Sequence, residues 1–173
     1  MKHLTPKEAH DFIHQNTDAV FVDVRSEIEF FYVGHPVGAE HIAWQEPPDW
    51  DVQPEFASHV KALVAGVKTR PVVLICRSGK RSVDAGQVLE KAGFSDVYNV
   101  LHGFEGDLDE NFHRGRKNGW RFDGLPWAQM KAGVAKSGRH HSTAFWLERP
   151  PGGRCNVIRH HIDFGRKRSE THI

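Results

Sequence analysis

Cys76 stands where an apolar run, Val72-Val73-Leu74-Ile75, gives way to a short cationic loop, Arg77-Ser78-Gly79-Lys80-Arg81, followed by Ser82 and a helical pattern. This order hangs one thiol over the carboxyl end of a strand. Tight turning at Gly79 is expected to point the loop amides inward as an anion-binding nest, and the next helix adds the positive end of its dipole. Arg77, Lys80 and Arg81 add formal charge. A free cysteine titrates near pH ~8.5, and such neighbours commonly lower that to roughly 3.5–7.5. The chemistry expected is that of an ionised sulfur nucleophile in a pocket that also holds oxyanions.

The elements that must position this thiol follow from local pattern. Thr5-Pro6-Lys7-Glu8 is a capping box with proline at the first helical position, so a helix is expected over about Pro6–Asn16, burying Ala9, Phe12 and Ile13. Ala19–Val24 reads as a buried strand. Ser26 is placed to cap a short helix carrying Ile28 and Phe31 or Tyr32, and a short strand is expected within Ala39–Ile42. Pro54 opens a helix whose inner face is Phe56, Val60, Leu63, Val64 and Val67. Val72–Ile75 is a second strand. A helix with Ala85, Val88, Leu89 and Ala92 inside closes on Gly93, and Val97–Val100 is a further strand. Strands alternating with amphipathic helices predict a mostly parallel α/β sheet covered on both faces, whose ligands bind beyond the strands' carboxyl ends.

Composition narrows the function. The chain has 173 residues, 39% hydrophobic and 26% charged, as expected of one globular domain with an appendage. Its net charge of +1 is uneven. Residues 1–136 carry 16 Lys and Arg against 19 Asp and Glu, and residues 137–173 carry 7 against 3. A cationic loop in a mildly acidic body suits a small anion and argues against a nucleic-acid surface. No apolar run approaches a membrane span and the start lacks a secretory h-region, so a cytoplasmic protein is expected. Two cysteines, Cys76 and Cys155, make no disulfide framework. Residues 137–173, with His140-His141, His160-His161 and Arg166-Lys167-Arg168, read as a loosely ordered basic, His-rich tail; their spacings match no zinc module.

Four ordered stretches resemble the rhodanese family, specifically single-domain thiosulfate sulfurtransferases. They are Asp23-Val24-Arg25 with Glu29-Phe30, Gly34-His35 with Gly38-Ala39-x-His41-Ile42, the loop Cys76–Ser82, and Gly103-Phe104 with Trp120 and Gly124-Leu125-Pro126. The resemblance spans about residues 3–130. It implies a three-layer domain over residues 1–136 around a sheet of about five strands, and a Cys76 persulfide formed from thiosulfate or another sulfane-sulfur donor. Cyanide, a thiol or a protein is the implied acceptor, with no metal or organic cofactor. Arg77, Ser78, Gly79, Lys80, Arg81 and Ser82 would hold the substrate and stabilise the persulfide, while Asp23 and Arg25 support the loop. A protein-to-protein sulfur carrier and a non-catalytic regulatory module on the same fold are the alternatives. Cysteine phosphatases and arsenate reductases use a Cys-x5-Arg loop. Here the arginine, Arg81, follows four intervening residues and Ser82 holds the phosphatase position.

His35 and His41 are expected to be hydrogen-bonded turn residues. Residues 106–118 form an insertion relative to the family's short connection. Its Asp107-x-Asp109-x-Asn111 imitates a calcium loop, but Phe112 and Asn118 stand where glycine and glutamate are needed.

Overall fold

The computed structural model describes residues 1–129. The expected tail, with Cys155, the paired histidines and the terminal basic run, lies outside the described residues. Strand β1 is Lys2–Leu4, too short and too polar to be announced by any apolar run. Helix α1 is Pro6–Gln15, capped reciprocally by Thr5 and Glu8. Strand β2 is Val20–Asp23, buried throughout.

A π-helical turn, Glu29–Val33, stands where a short helix was expected. Ser26 stands ahead of it, its hydroxyl and amide both donating to the Glu29 carboxylate and its Oγ 3.4 Å from the Glu29 amide. The buried residue, however, is Phe30, while Ile28 and Tyr32 face solvent. The wider i→i+5 turn moves the inward position off the α-helical spacing. Short strands follow: β3 His35–Pro36, β4 Glu40–His41, β5 Gln45–Glu46 and β6 Asp51–Val52. Helix α2 is Phe56–Leu63, with Phe56, Val60 and Val64 buried and Val67 exposed beyond its end. Strand β7 (Val72–Ile75), helix α3 (Arg81–Lys91) and strand β8 (Val97–Val100) match the expected pattern; β9 is Trp127–Ala128.

The main sheet is parallel in the order β1-β8-β7-β2-β4, with Val22 opposite Leu74 and Leu74 opposite Asn99. Side-chain alternation divides the core between its faces. Val20, Val22, Val72, Leu74 and Val97 pack under α2 and α3 with Trp44. Phe21, Val73, Ile75, Tyr98 and Val100 pack under α1 with Phe104 and Trp120. The domain is therefore three-layered, with helices on both faces. Two small antiparallel pairs lie outside it: β5 with β6, and β3 with β9, which ties the segment before β4 to residue 128. Among the described residues, no helix is long and apolar enough to cross a membrane.

Candidate active site

Cys76 follows the last residue of β7 at the sheet's carboxyl edge and is 1% exposed. Gly79 adopts φ +85°, a conformation glycine takes without steric cost, and this turns its amide back to donate to Cys76 Sγ at 3.2 Å. Ser82, in the first turn of α3, places Oγ 3.2 Å from the same sulfur and 2.6 Å from Asn99 Oδ1. The chain leaving β8 forms the floor. Amides of Phe104 and Glu105 donate to the carbonyls of Cys76 and Arg77 at 2.8 and 2.9 Å. Gly103, at φ +61°, passes so close that a Cβ would run into the Cys76 carbonyl.

Arg77 and Lys80 face solvent. Arg81 is directed inward, its two terminal nitrogens donating to the two Glu29 oxygens at 2.8 and 2.7 Å. Arg77 Nε stands 4.0 Å from the same carboxylate. Burial pushes the Glu29 pKa up, but the hydrogen bonds and charge of Arg81, with the Ser26 bonds, outweigh it and hold the carboxyl at about 2. Glu29 likewise raises the Arg81 pKa against its own desolvation. By sequence, Arg81 is one of three loop cations available to an anion. In the structure its guanidinium is bound by a carboxylate from 52 residues upstream, and Arg77 and Lys80 are the loop's outward-facing charges.

Asp23 and Arg25 are fully buried and bonded to each other: Arg25 Nε and Nη2 reach Asp23 at 2.9 and 2.6 Å. Nη2 also donates to the Gly34 carbonyl at 2.7 Å, and the guanidinium lies 4.1 Å from the Phe104 ring centre. The pair thus joins the end of β2 to the turn before β3 and to the loop floor. Arg25 Nη1 faces Glu105 Oε1 at 3.8 Å, and neither atom has a hydrogen-bond partner among the described residues. Burial raises the Glu105 pKa, with Arg25 offsetting part of the effect. His35 stacks on Phe30, its Nδ1 3.1 Å from that residue's carbonyl; His41 Nε2 lies 2.8 Å from the Arg25 carbonyl.

The 106–118 segment closes on itself. Asn118 bonds the amide and carboxylate of Asp107, His102 takes the same carboxylate, and Asp109 accepts the amides of Asn111 and His113. Among the described residues no three His, Cys, Asp or Glu side chains gather as metal ligands. Sequence reasoning gave no role to Glu29, Asn99 or Glu105. Glu29 three residues after Ser26 had the spacing of a cap, and Asn99 stood out as an amide inside a buried strand.

An α/β sheet presenting a cysteine at a strand end, inside a glycine-turned basic loop, defines a cysteine-loop domain. The Rhodanese-like domain model matches residues 5–110, and the chain belongs to that family. It is 37% identical to Rv0390 from M. tuberculosis, whose crystal structure superposes with a TM-score of 0.66 over 75% of this chain and 98% of that one. Thiosulfate sulfurtransferase GlpE of Glaesserella parasuis is 34% identical over 60% of this chain and 82% of its own length. An uncharacterized Rickettsia conorii protein, RC0915, is 27% identical over 73% of this chain and 97% of its own. The architecture is the rhodanese fold.

Proposed function

We propose that this chain is a sulfurtransferase that carries sulfane sulfur as a persulfide on Cys76. The Cys76 thiolate attacks the outer sulfur of thiosulfate, a new S–S bond forms, and the old one breaks with its electron pair leaving on sulfite. A thiophilic acceptor then attacks the terminal sulfur and returns the Cys76 thiolate. Cyanide would leave as thiocyanate, a thiol as a persulfide. This is nucleophilic catalysis, which divides one transfer into two easier steps.

One observation carries the reading: the Gly79 amide and Ser82 hydroxyl converge on a single buried sulfur, each at 3.2 Å. The Gly79 amide, joined by the Ser82 hydroxyl when its single proton turns to sulfur, stabilises the Cys76 thiolate. Arg77, Ser78 and Lys80 line the outward side, where a dianion would approach, and Arg81 sets the loop through Glu29. Asp23 and Arg25 support the floor. The likeness to GlpE makes thiosulfate the first donor to try.

Intact mass before and after thiosulfate, with a cyanide chase, tests the proposal. The expected result is a gain of about one sulfur atom, discharged by cyanide and absent in Cys76→Ser. No gain with a rapidly alkylated Cys76 would remove thiosulfate as donor. No gain with an inert Cys76 would leave the regulatory-module alternative.

A further inference from the structure

A buried polar row leads from the nucleophile to the surface, and sulfur transfer itself does not call for it. Ser82 Oγ lies between Cys76 Sγ and Asn99 Oδ1, at 3.2 and 2.6 Å, and Asn99 Nδ2 lies 3.2 Å from His3 Nδ1. Ser82 and Asn99 are buried, whereas His3, the register partner of Asn99 on the edge strand, is exposed. Alternation along β8 puts Asn99 on the face of Val97, among the valines and leucines beneath α2 and α3. A buried amide there is destabilising unless its groups are bonded. Its two partners are the serine that touches the nucleophile and the one exposed imidazole on β1.

The row has a direction because Ser82 owns one hydroxyl proton. With that proton on Asn99 Oδ1, the Asn99 amide N–H points at a bare His3 Nδ1, and Ser82 turns a lone pair toward sulfur. That arrangement suits a thiol. With the Ser82 hydroxyl donating instead to Cys76 Sγ, Ser82 Oγ must accept from Asn99 Nδ2, the amide is turned over, and its oxygen meets His3. Nδ1 must then carry a proton, as the imidazolium always does and the neutral ring does only in its Nδ1–H tautomer. Both orientations use the same heavy-atom positions, so protons at the two ends select between them.

We propose that His3 is a positioning residue for Cys76: a proton on His3 Nδ1, relayed by Asn99 and Ser82, aims the Ser82 hydroxyl at the sulfur and favours its anion. The inference rests on Cys76 being the nucleophile, and it adds a pH-dependent control at a site 73 residues earlier in the chain. No bond between heavy atoms is made or broken; protons and one amide reorient. Other charged groups near β1 are engaged or solvated. The Met1 ammonium meets Glu90 of α3, Lys2 meets Asp96 and the Tyr98 hydroxyl, Arg81 is held by Glu29, and Asp84 is exposed.

The test is the rate of iodoacetamide alkylation at Cys76, followed by peptide mass across about pH 5 to 9. It reads the thiol directly, so a failure of sulfur transfer and a failure of the relay are separate results. His3→Ala is expected to alkylate about tenfold slower than the parent at about pH 5.5, the equivalent of one charge-assisted hydrogen bond. The gap should narrow toward the alkaline end of that range. In an Asn99→Ala background, the same substitution should change nothing. His3→Gln, on the exposed edge, keeps a hydrogen-bonding group that cannot titrate. Its profile should lack the histidine-dependent inflection, which decides the matter even if Asn99→Ala does not fold. A His3→Ala rate ratio constant with pH would mean a merely structural strand and overturn the proposal. So would a His3 effect undiminished without Asn99, or a parental inflection kept by His3→Gln.

Discussion

Glu29→Gln exchanges the carboxylate that holds Arg81 for an amide of nearly the same shape. Glu29 has a 13% exposed side chain and receives four hydrogen bonds, two from Arg81 and two from Ser26. Its pKa is held at about 2 against an ordinary 4.5. A depression of that size corresponds to about 3 kcal/mol as a ceiling, and partial contact with solvent brings it to about 2 kcal/mol. Because the folded value lies below the unfolded one, this stabilisation is complete above about pH 4.5 and drains away as pH falls toward 2. The variant should therefore lose about 2 kcal/mol at neutral pH, a Tm decrease of roughly 6–10 °C for a domain of this size. Urea unfolding can be followed by the fluorescence of the buried Trp44 and Trp120. Repeated at lower pH, it should show the parent and variant midpoints converging progressively between about pH 4.5 and 2. A deficit that stays constant with pH would refute the electrostatic account and leave only altered packing.

Two further substitutions test the loop floor. Gly103→Ala forces a Cβ against the Cys76 and Arg77 backbone at φ +61°, and should cost about 2–4 kcal/mol in urea unfolding while slowing alkylation of Cys76. Parental stability would show that the close approach is dispensable. Arg25→Ala strands Asp23 in a fully buried position and should destabilise by about 3–5 kcal/mol. A loss below about 1 kcal/mol would mean that the pair is not holding the floor. Removing Arg81 alone would strand Glu29 in the same way, so a role for Arg81 toward substrate is better read with Glu29→Gln also in place.

Signals written within a few residues were legible in the sequence. The capping box at Thr5–Glu8, the buried runs at 72–75 and 97–100, and the glycine-turned loop each combine residue type with short spacing. The structure places helix, strands and loop accordingly. Contacts between distant segments were not legible. The Arg81–Glu29 pair joins residues 52 apart, and the Asn99–His3 pair joins residues 96 apart. Strand β1 escaped notice because an edge strand of three residues needs only one side buried, and Lys2-His3-Leu4 carries no apolar run. Phe30 was displaced from the expected helical face by a π-turn, which sequence periodicity does not encode. The β3–β9 pair depends on a return of the chain after more than 90 residues.

The floor beneath Cys76 also fixes when the site can exist. The thiol follows β7, the central strand of the sheet, yet its backbone is braced by amides of Phe104 and Glu105, and Trp120 in turn bonds back to Gly103. On the ribosome, where chains grow at about 5–20 residues per second, Cys76 emerges well before the segment that holds its loop. The nascent cysteine is then an ordinary thiol on an unbraced strand end. The braced loop comes as a late event of vectorial synthesis, formed only when the last quarter of the described chain swings under it. A chain arrested or clipped before residue 103 would carry the whole cysteine motif without the floor that braces it.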